Sequence, residues 1–305
     1  MILTITLNPA IDVRYEIGNF DINGVFRGKP AKTAGGKGLN VSRVLRTLGE
    51  EVEASGFLGG NSGDWISDEI ANIGIKDSFI KTDVEIRSCI AILGNGTQTE
   101  ILEMGEKISE NFVEEFLEFF RNRFDRFETI CISGSVPEGV QEDIYKVLCE
   151  IAGKKKVILD TSGRLLLKGI EGNPYLVKPN KEELEGLLER ELITFREVIE
   201  GAKELKNKGC KNILVSLGKD GAIFIDESEK VYKVSIPKID VKNPVGSGDS
   251  TIAGFAYAIN RNKTPEEALK LAMACGMSNA MIDGTGKIDL NVVEEFLPKI
   301  EVEKL

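Results

Sequence analysis

Short runs rich in apolar and β-branched residues alternate with amphipathic helical stretches along most of this chain, and few architectures accept that alternation. Strands are expected over Ile2–Leu7, Glu53–Phe57, Thr129–Ser133, Val157–Asp160, Tyr175–Lys178, Asn212–Ser216, Ala222–Ile225 and Val231–Val234. Apolar residues recur at helical spacing near Asn40–Leu48, Trp65–Ile73, Glu110–Arg123, Gln141–Ala152, Lys181–Leu188 and Phe195–Lys208. Three more helices close the chain near Ser250–Asn260, Pro265–Met281 and Leu290–Leu297. A helix between two strands returns the chain to the same end of a sheet, so the strands pair in parallel. The pattern predicts an α/β fold with a mainly parallel sheet flanked by helices on both faces. Ligands then bind beyond the carboxyl ends of the strands. The length of 305 residues and a hydrophobic content of 42% suit one large domain.

Two segments break the alternation. In about 13–32, Tyr15, Ile17, Phe20, Ile22, Val25 and Phe26 follow neither period. In about 87–103, Cys89–Leu93 and Thr97–Leu102 flank Asn95-Gly96, a strong hairpin signal. Both segments are expected to pair in a small separate sheet, serving as a lid or a dimer surface, with Ile90 and Ile92 on one face of the hairpin.

The net charge of −10 argues against a nucleic-acid partner, while leaving room for a small anion held by local lysines and arginines. There is no histidine, so a Ser-His-Asp triad, a Cys-His pair and a His-ligated metal are all excluded. Acid–base work near neutral pH falls to carboxylates, lysines or backbone dipoles. Cys89, Cys131, Cys149, Cys210 and Cys275 form no C-x-x-C pair and read as buried thiols of a reducing compartment. The apolar start Met1–Leu7 reads as a first strand and no run approaches a membrane span, so a cytoplasmic protein without a membrane partner is expected.

The segment Asn243-Pro244-Val245-Gly246-Ser247-Gly248-Asp249-Ser250 leads into the helical pattern Ile252, Phe255, Ala256 and Ile259. Glycines let backbone N–H groups turn toward a guest, and a helix N-terminus favours negative charge. The result is an anion cradle with a carboxylate beside it, the parts phosphoryl transfer needs. A lone G-x-G-D is also what a loop with a capping aspartate looks like. Thr33-Ala34-Gly35-Gly36-Lys37-Gly38-Leu39-Asn40 precedes a helix stopped at Gly49 and lacks Walker A spacing. It is a glycine-rich turn or a sugar site, with Asp12 able to accept from vicinal hydroxyls. Asn180 and Glu183 have capping-box spacing after a strand, and could equally hold water around Mg²⁺. Ser216-Leu217-Gly218-Lys219-Asp220-Gly221 reads as a turn or as backbone for a nucleotide, and Ser133-Gly134-Ser135-Val136-Pro137 ends a strand with a free hydroxyl.

In this order, Asp12, Gly35–Asn40, Gly59-Gly60, Gly134–Pro137, Lys178-Pro179-Asn180, Ser216–Gly218 and Gly246–Asp249 resemble the ribokinase-like (PfkB) carbohydrate kinases over essentially the whole chain. The opening Thr4–Asp12 is similar to the branch acting on phosphorylated ketohexoses. Cys89–Leu93, Gln98-Thr99-Glu100 and the 243–250 segment favour tagatose 6-phosphate as acceptor over fructose 1-phosphate. The resemblance implies a Rossmann-like sheet with a β lid, ATP and Mg²⁺ as cofactors, and a homodimer through the lid. It implies Asp249 as base, with Gly246, Ser247 and Gly248 donating to the moving phosphoryl group. Asn180 and Glu183 would organise Mg²⁺ through water. Arg87 would anchor the sugar phosphate, backed by Lys37, Arg27 and Ser135, while Asp12, Gly36, Gly38 and Asn40 contact the sugar. Lys178, Asn180, Ser216, Gly218, Gly221, Gly248 and Asn279 would serve the nucleotide. A dehydrogenase is disfavoured because no G-x-G-x-x-G follows the first strand. A catalytically silent sugar-phosphate sensor would have no need of Asp249.

Overall fold

A computed structural model describes residues 1–305. The chain runs β1 (Ile2–Thr6), β2 (Ala10–Glu16), β3 (Ala31–Gly35), α1 (Lys37–Thr47), β4 (Val52–Gly59), α2 (Gly60–Asn72), β5 (Lys76–Asp77), β6 (Ile80–Thr82), β7 (Ser88–Gly94), β8 (Thr97–Leu102), α3 (Glu110–Arg123) and β9 (Thr129–Ser133). It continues with α4 (Ile144–Ala152), β10 (Lys156–Asp160), α5 (Gly163–Ile170), β11 (Leu176–Val177), α6 (Lys181–Leu188), α7 (Phe195–Lys206), β12 (Asn212–Ser216), β13 (Ala222–Ile225) and β14 (Val231–Ser235). Then follow α8 (Ser247–Asn260), α9 (Pro265–Met281), α10 (Leu290–Phe296) and β15 (Glu301–Lys304).

The main sheet has the order β15-β14-β13-β12-β11-β10-β9-β1-β4-β5, with β6 also on β4. From β12 to β5 all pairs are parallel, and β13, β14 and β15 add an antiparallel edge. Side chains alternate across it. On β1, Leu3 and Ile5 enter the core beneath α3–α7, and Ile2 enters the core shared with α1, α2, α8 and α9. Thr4, on the Ile2 face, meets the Ser42 hydroxyl of α1 at 2.7 Å. Gly38 makes that approach possible, since a Cβ there would lie 2.2 Å from Thr6 Oγ1. No helix is long and apolar enough to cross a membrane.

The small sheet has the order β3-β2-β7-β8. Its strands begin at Ala10 and end at Gly35 in the first segment, wider than the expected 13–32, and Ile17–Pro30 between them carries no strand. The hairpin forms over Ser88–Leu102, with Asn95 at φ 53° and Gly96 at φ 72°, both left-handed as a two-residue hairpin turn requires. One face holds Asp12, Arg14, Cys89, Ala91, Gln98 and Glu100, and looks into the cleft described below. On the other, Ile11 and Val13 are buried and Ile90 packs beside them, so Ile90 is partly covered by its own chain.

The element α5 was not anticipated. Its consecutive Leu165-Leu166-Leu167 hides the helical period, although Leu166 and Ile170, one turn apart, are the buried pair. The edge strand β15 was also missed, being mostly exposed and charged. Four of the five cysteines are buried and all are free, as expected, while Cys89 stands half-buried on the cleft wall.

Candidate active site

A cleft of about 930 Å³ lies between the carboxyl ends of the parallel strands, the start of α8 and the polar face of the small sheet. Gly246 is the N-cap of α8, at φ 84°. A Cβ there would sit 2.7 Å from the Gly286 nitrogen and 2.8 Å from Thr285 Cγ2, so only glycine closes this turn. Asp249 follows in the first helical turn, 6% exposed, with Oδ2 accepting from Asn40 Nδ2 at 2.8 Å. Burial pushes its carboxyl up to about 6 and the Asp160 charge adds to this, while the Asn40 hydrogen bond, Lys37 and Lys178 oppose it.

Asp160, at the end of β10, was not foreseen as a site residue. It is 1% exposed, and neither carboxylate oxygen has a hydrogen-bond partner. Its Oδ1 lies 3.5 Å from Lys178 Nζ and 3.8 Å from Lys37 Nζ. The Asp160 charge is the main reason the Lys37 amine is held above its ordinary range. A carboxylate at the carboxyl end of a parallel strand was the available signal. At the next strand end, Asn180 and Glu183 form a complete capping box on α6. Glu183 N donates to Asn180 Oδ1 at 2.7 Å, and Asn180 N donates to Glu183 Oε2 at 2.9 Å. Both also line the cleft, so capping and cleft exposure coexist.

At the other end stand Asp12, Lys37, Asn40, Arg87 and Ser135. Burial raises the Asp12 carboxyl to about 6, against the pull of Arg43 and Arg87. Arg87 spends Nη1 on the Glu103 carbonyl at 3.0 Å and Nη2 on the Asn8 carbonyl at 3.2 Å, leaving a buried Nε unpartnered. Asn8 Nδ2 donates to Ser135 Oγ at 3.2 Å.

Gly36, Lys178, Ser216, Gly246 and Gly248 also line the cleft. Other expected residues do not. Arg27 is exposed on the strandless stretch between β2 and β3 and is not part of the wall. Gly38, in the first turn of α1, is buried against β1, as above. Gly221 is packed so that a Cβ would meet the Val234 carbonyl at 1.9 Å, and Gly218 has open space beside it but is not part of the cleft wall. Asn279 is fully buried behind the cradle: its Nδ2 donates to the Val245 carbonyl at 2.8 Å and to Ser247 Oγ at 3.2 Å, and its Oδ1 accepts from Ser250. It braces the loop with every polar atom engaged. Ser247 is likewise turned to that brace and lies outside the wall.

This geometry has close relatives. The family model for pfkB family carbohydrate kinases matches residues 8–288. A tagatose-6-phosphate kinase of Staphylococcus epidermidis is 44% identical over 308 residues, covering 99% of both chains. Among solved structures, a Staphylococcus aureus protein provisionally assigned as a phosphofructokinase superposes with a TM-score of 0.87 at 35% identity, over 100% of this chain and 99% of its own. A Thermotoga maritima protein provisionally assigned as a 1-phosphofructokinase gives 0.89 at 29% identity, over 100% and 99%. Matched from end to end in sequence and in fold, the chain belongs to the pfkB family of carbohydrate kinases.

Proposed function

We propose that the chain transfers the terminal phosphoryl group of ATP to a ketohexose monophosphate, with tagatose 6-phosphate as the preferred acceptor and tagatose 1,6-bisphosphate as product. The observation that carries the chemistry is Asp249, a buried carboxylate in the first turn of α8 beside the Gly246–Gly248 backbone and open to the cleft. The acceptor hydroxyl gives its proton to Asp249 while its oxygen bonds phosphorus, and ADP leaves. Backbone N–H groups of Gly246 and Gly248 would donate to the moving phosphoryl oxygens, where a helix N-terminus favours negative charge, while the Ser247 N–H, expected to join them, is spent on the Pro244 carbonyl at 3.2 Å. Asp12 and Asn40 hold sugar hydroxyls, and Lys37 supplies positive charge. Arg87, which lines the cleft, anchors the phosphate the substrate already carries.

No three acidic side chains cluster as direct ligands, so a divalent cation would be held here largely through water. Asp160 offers two buried oxygens without hydrogen bonds, Oδ1 lying beside the Lys178 and Lys37 amines, and Asn180 and Glu183 sit at the neighbouring strand end. Hard oxygen ligands suit Mg²⁺, which keeps several waters. When bound, it neutralises charge on the nucleotide phosphates. Lys178, Asn180 and Ser216 form the nucleotide wall.

The small sheet is read as a lid over the acceptor and as the contact of a homodimer. Ile101 and Met104 are 53% and 87% exposed at its edge and outside the cleft wall, apolar side chains that a second copy would cover. Five unpaired thiols suit a reducing, cytoplasmic setting.

Fructose 1-phosphate is the second reading, supported by the similarity to the Thermotoga protein. Measuring kcat/KM with ATP for tagatose 6-phosphate, fructose 1-phosphate and fructose 6-phosphate decides between them. Highest turnover with fructose 1-phosphate overturns the first reading, and no ATP turnover with any of the three would favour a sensor.

A further inference from the structure

Arg43 drew no attention in the sequence, yet it is among the most heavily engaged side chains at the site. It stands on α1 three residues after Asn40, so the two lie on one side of the helix. Its Nη1 donates to Asn40 Oδ1 at 3.1 Å and to the Thr285 carbonyl at 2.9 Å, and its Nη2 donates to the Ala34 carbonyl of β3. One guanidinium thus ties together the small sheet, α1 and the loop at 283–287. A guanidinium carries only donors, so the face of the Asn40 amide it meets must be the oxygen. The amide nitrogen is then the face left for Asp249, to which it donates at 2.8 Å. Turned over, Asn40 would set donor against donor at Arg43 and oxygen against a carboxylate at Asp249. The two ends of an amide are nearly alike in shape, so packing alone does not prevent that turn.

The same loop stands directly behind the anion cradle. A Cβ on Gly286 would lie 2.7 Å from Asn40 Cβ and 2.9 Å from Arg43 Nη1. A Cβ on Gly246 would lie 2.7 Å from the Gly286 nitrogen. Contact therefore runs unbroken from α1 through the loop to the cradle, with Arg43 holding the loop's Thr285 carbonyl.

We propose that Arg43 is a positioning residue, touching no reacting atom, that fixes which face of Asn40 meets Asp249 and holds the 283–287 loop against the glycine cradle. This rests on the reading of Asp249 as the base. The charged groups facing Arg43 are Asp12, Asp249 and Glu69, so its loss also removes a positive neighbour from Asp12. Arg43→Lys, which keeps the charge but not the fork, separates the two effects.

The test is a double-mutant cycle in kcat, with KM measured for both substrates, over Arg43→Met, Asn40→Ala and the double variant, with Asp249→Asn alongside. If Arg43 acts through Asn40, Arg43→Met lowers kcat about tenfold or more while KM for ATP changes by less than about threefold. The double variant then has a kcat no lower than Asn40→Ala alone. Arg43→Lys restores KM for the sugar phosphate more fully than it restores kcat. Effects that simply multiply in the double variant overturn the proposal, as does an Arg43→Met enzyme within about threefold of wild-type kcat. If Asp249→Asn and Asn40→Ala both leave kcat intact, the base assignment itself has failed and this proposal goes with it. If they lower kcat and Arg43→Met does not, only the role of Arg43 has failed. Should Arg43→Met not fold, Arg43→Lys takes its place in the cycle and is judged by the same non-additivity in kcat.

Discussion

A carboxylate acting as a base near neutral pH needs a proton affinity above that of a free aspartate, and Asp249 obtains it by being buried beside Asp160. With Asp249 as the proposed base, its ionised form is the active one, so kcat should rise as pH climbs through about 6 and level off above it. Asp249→Asn should abolish that limb and cut kcat by roughly 10²–10⁴. A pH profile of both proteins checks this, and a variant keeping more than about a tenth of wild-type kcat counts against the assignment. The same shift has a cost in stability. Burial pushes the folded carboxyl up to about 6 from its ordinary value of 3.8, so the folded chain binds the proton more tightly. Stability from this group is therefore full below about pH 4 and lost as pH rises through about 6, on the order of 3 kcal/mol. Asp249→Asn should accordingly melt no lower than wild type at pH 8. At the acceptor end, Arg87→Ala should lower kcat/KM for the sugar phosphate at least about tenfold, since a charge-assisted hydrogen bond is worth about 1.5–3 kcal/mol. KM for ATP should hardly move, and if KM for the sugar phosphate also stays put, Lys37 becomes the better anchor. As cleft residues, Asp249 and Asp12 were legible because each belongs to a short motif, and Arg87 only through the family resemblance. Asp160 and Arg43 were not, because one looked like the end of a strand and the other like the polar side of a helix. Only the fold shows that both turn inward.

Among the elements, α6 carries the sharpest ambiguity. Its Asn180–Glu183 pair was readable as a cap or as a metal-organising pair, and the structure contains the full cap. Glu183→Gln separates the roles. Capping alone predicts a loss of about 0.5–2 kcal/mol at most in a thermal melt, with the Mg²⁺ dependence of the rate unchanged. A role toward the cation predicts a higher Mg²⁺ concentration for half-maximal rate, and an unshifted titration would leave only the cap. The elements most easily read were those whose local chemistry leaves one choice. The hairpin β7–β8 follows from Asn95-Gly96, and β1 from Ile2, Leu3 and Ile5 alternating between two cores. Stretches such as α5 escaped because three adjacent leucines satisfy both periods, and the decision between them is made by the sheet they land on.

At the scale of the whole molecule, the exposed apolar set on the small sheet should place two copies face to face. Sedimentation at micromolar concentration should give a dimer, and Ile101→Glu with Met104→Glu should shift it toward monomer; a wild-type chain that sediments as a monomer removes this reading. The expectation had centred on Ile90 and Ile92, but the chain half-covers Ile90 itself. No periodicity reveals which face of a small sheet its own domain will claim. The two sheets also differ in how they are enclosed. Strand β1 is paired on both sides and covered on both faces, while β8 is paired only with β7 and all six of its residues are exposed. In heavy water the amides of β1 should be among the last to take up deuterium, and those of β8 among the first. Since Gln98, Glu100 and Leu102 face the cleft, filling it with acceptor should slow labelling in β8 and leave β1 as it was. Deuterium uptake along that one edge strand would thus report occupancy of the cleft without any phosphoryl group changing hands.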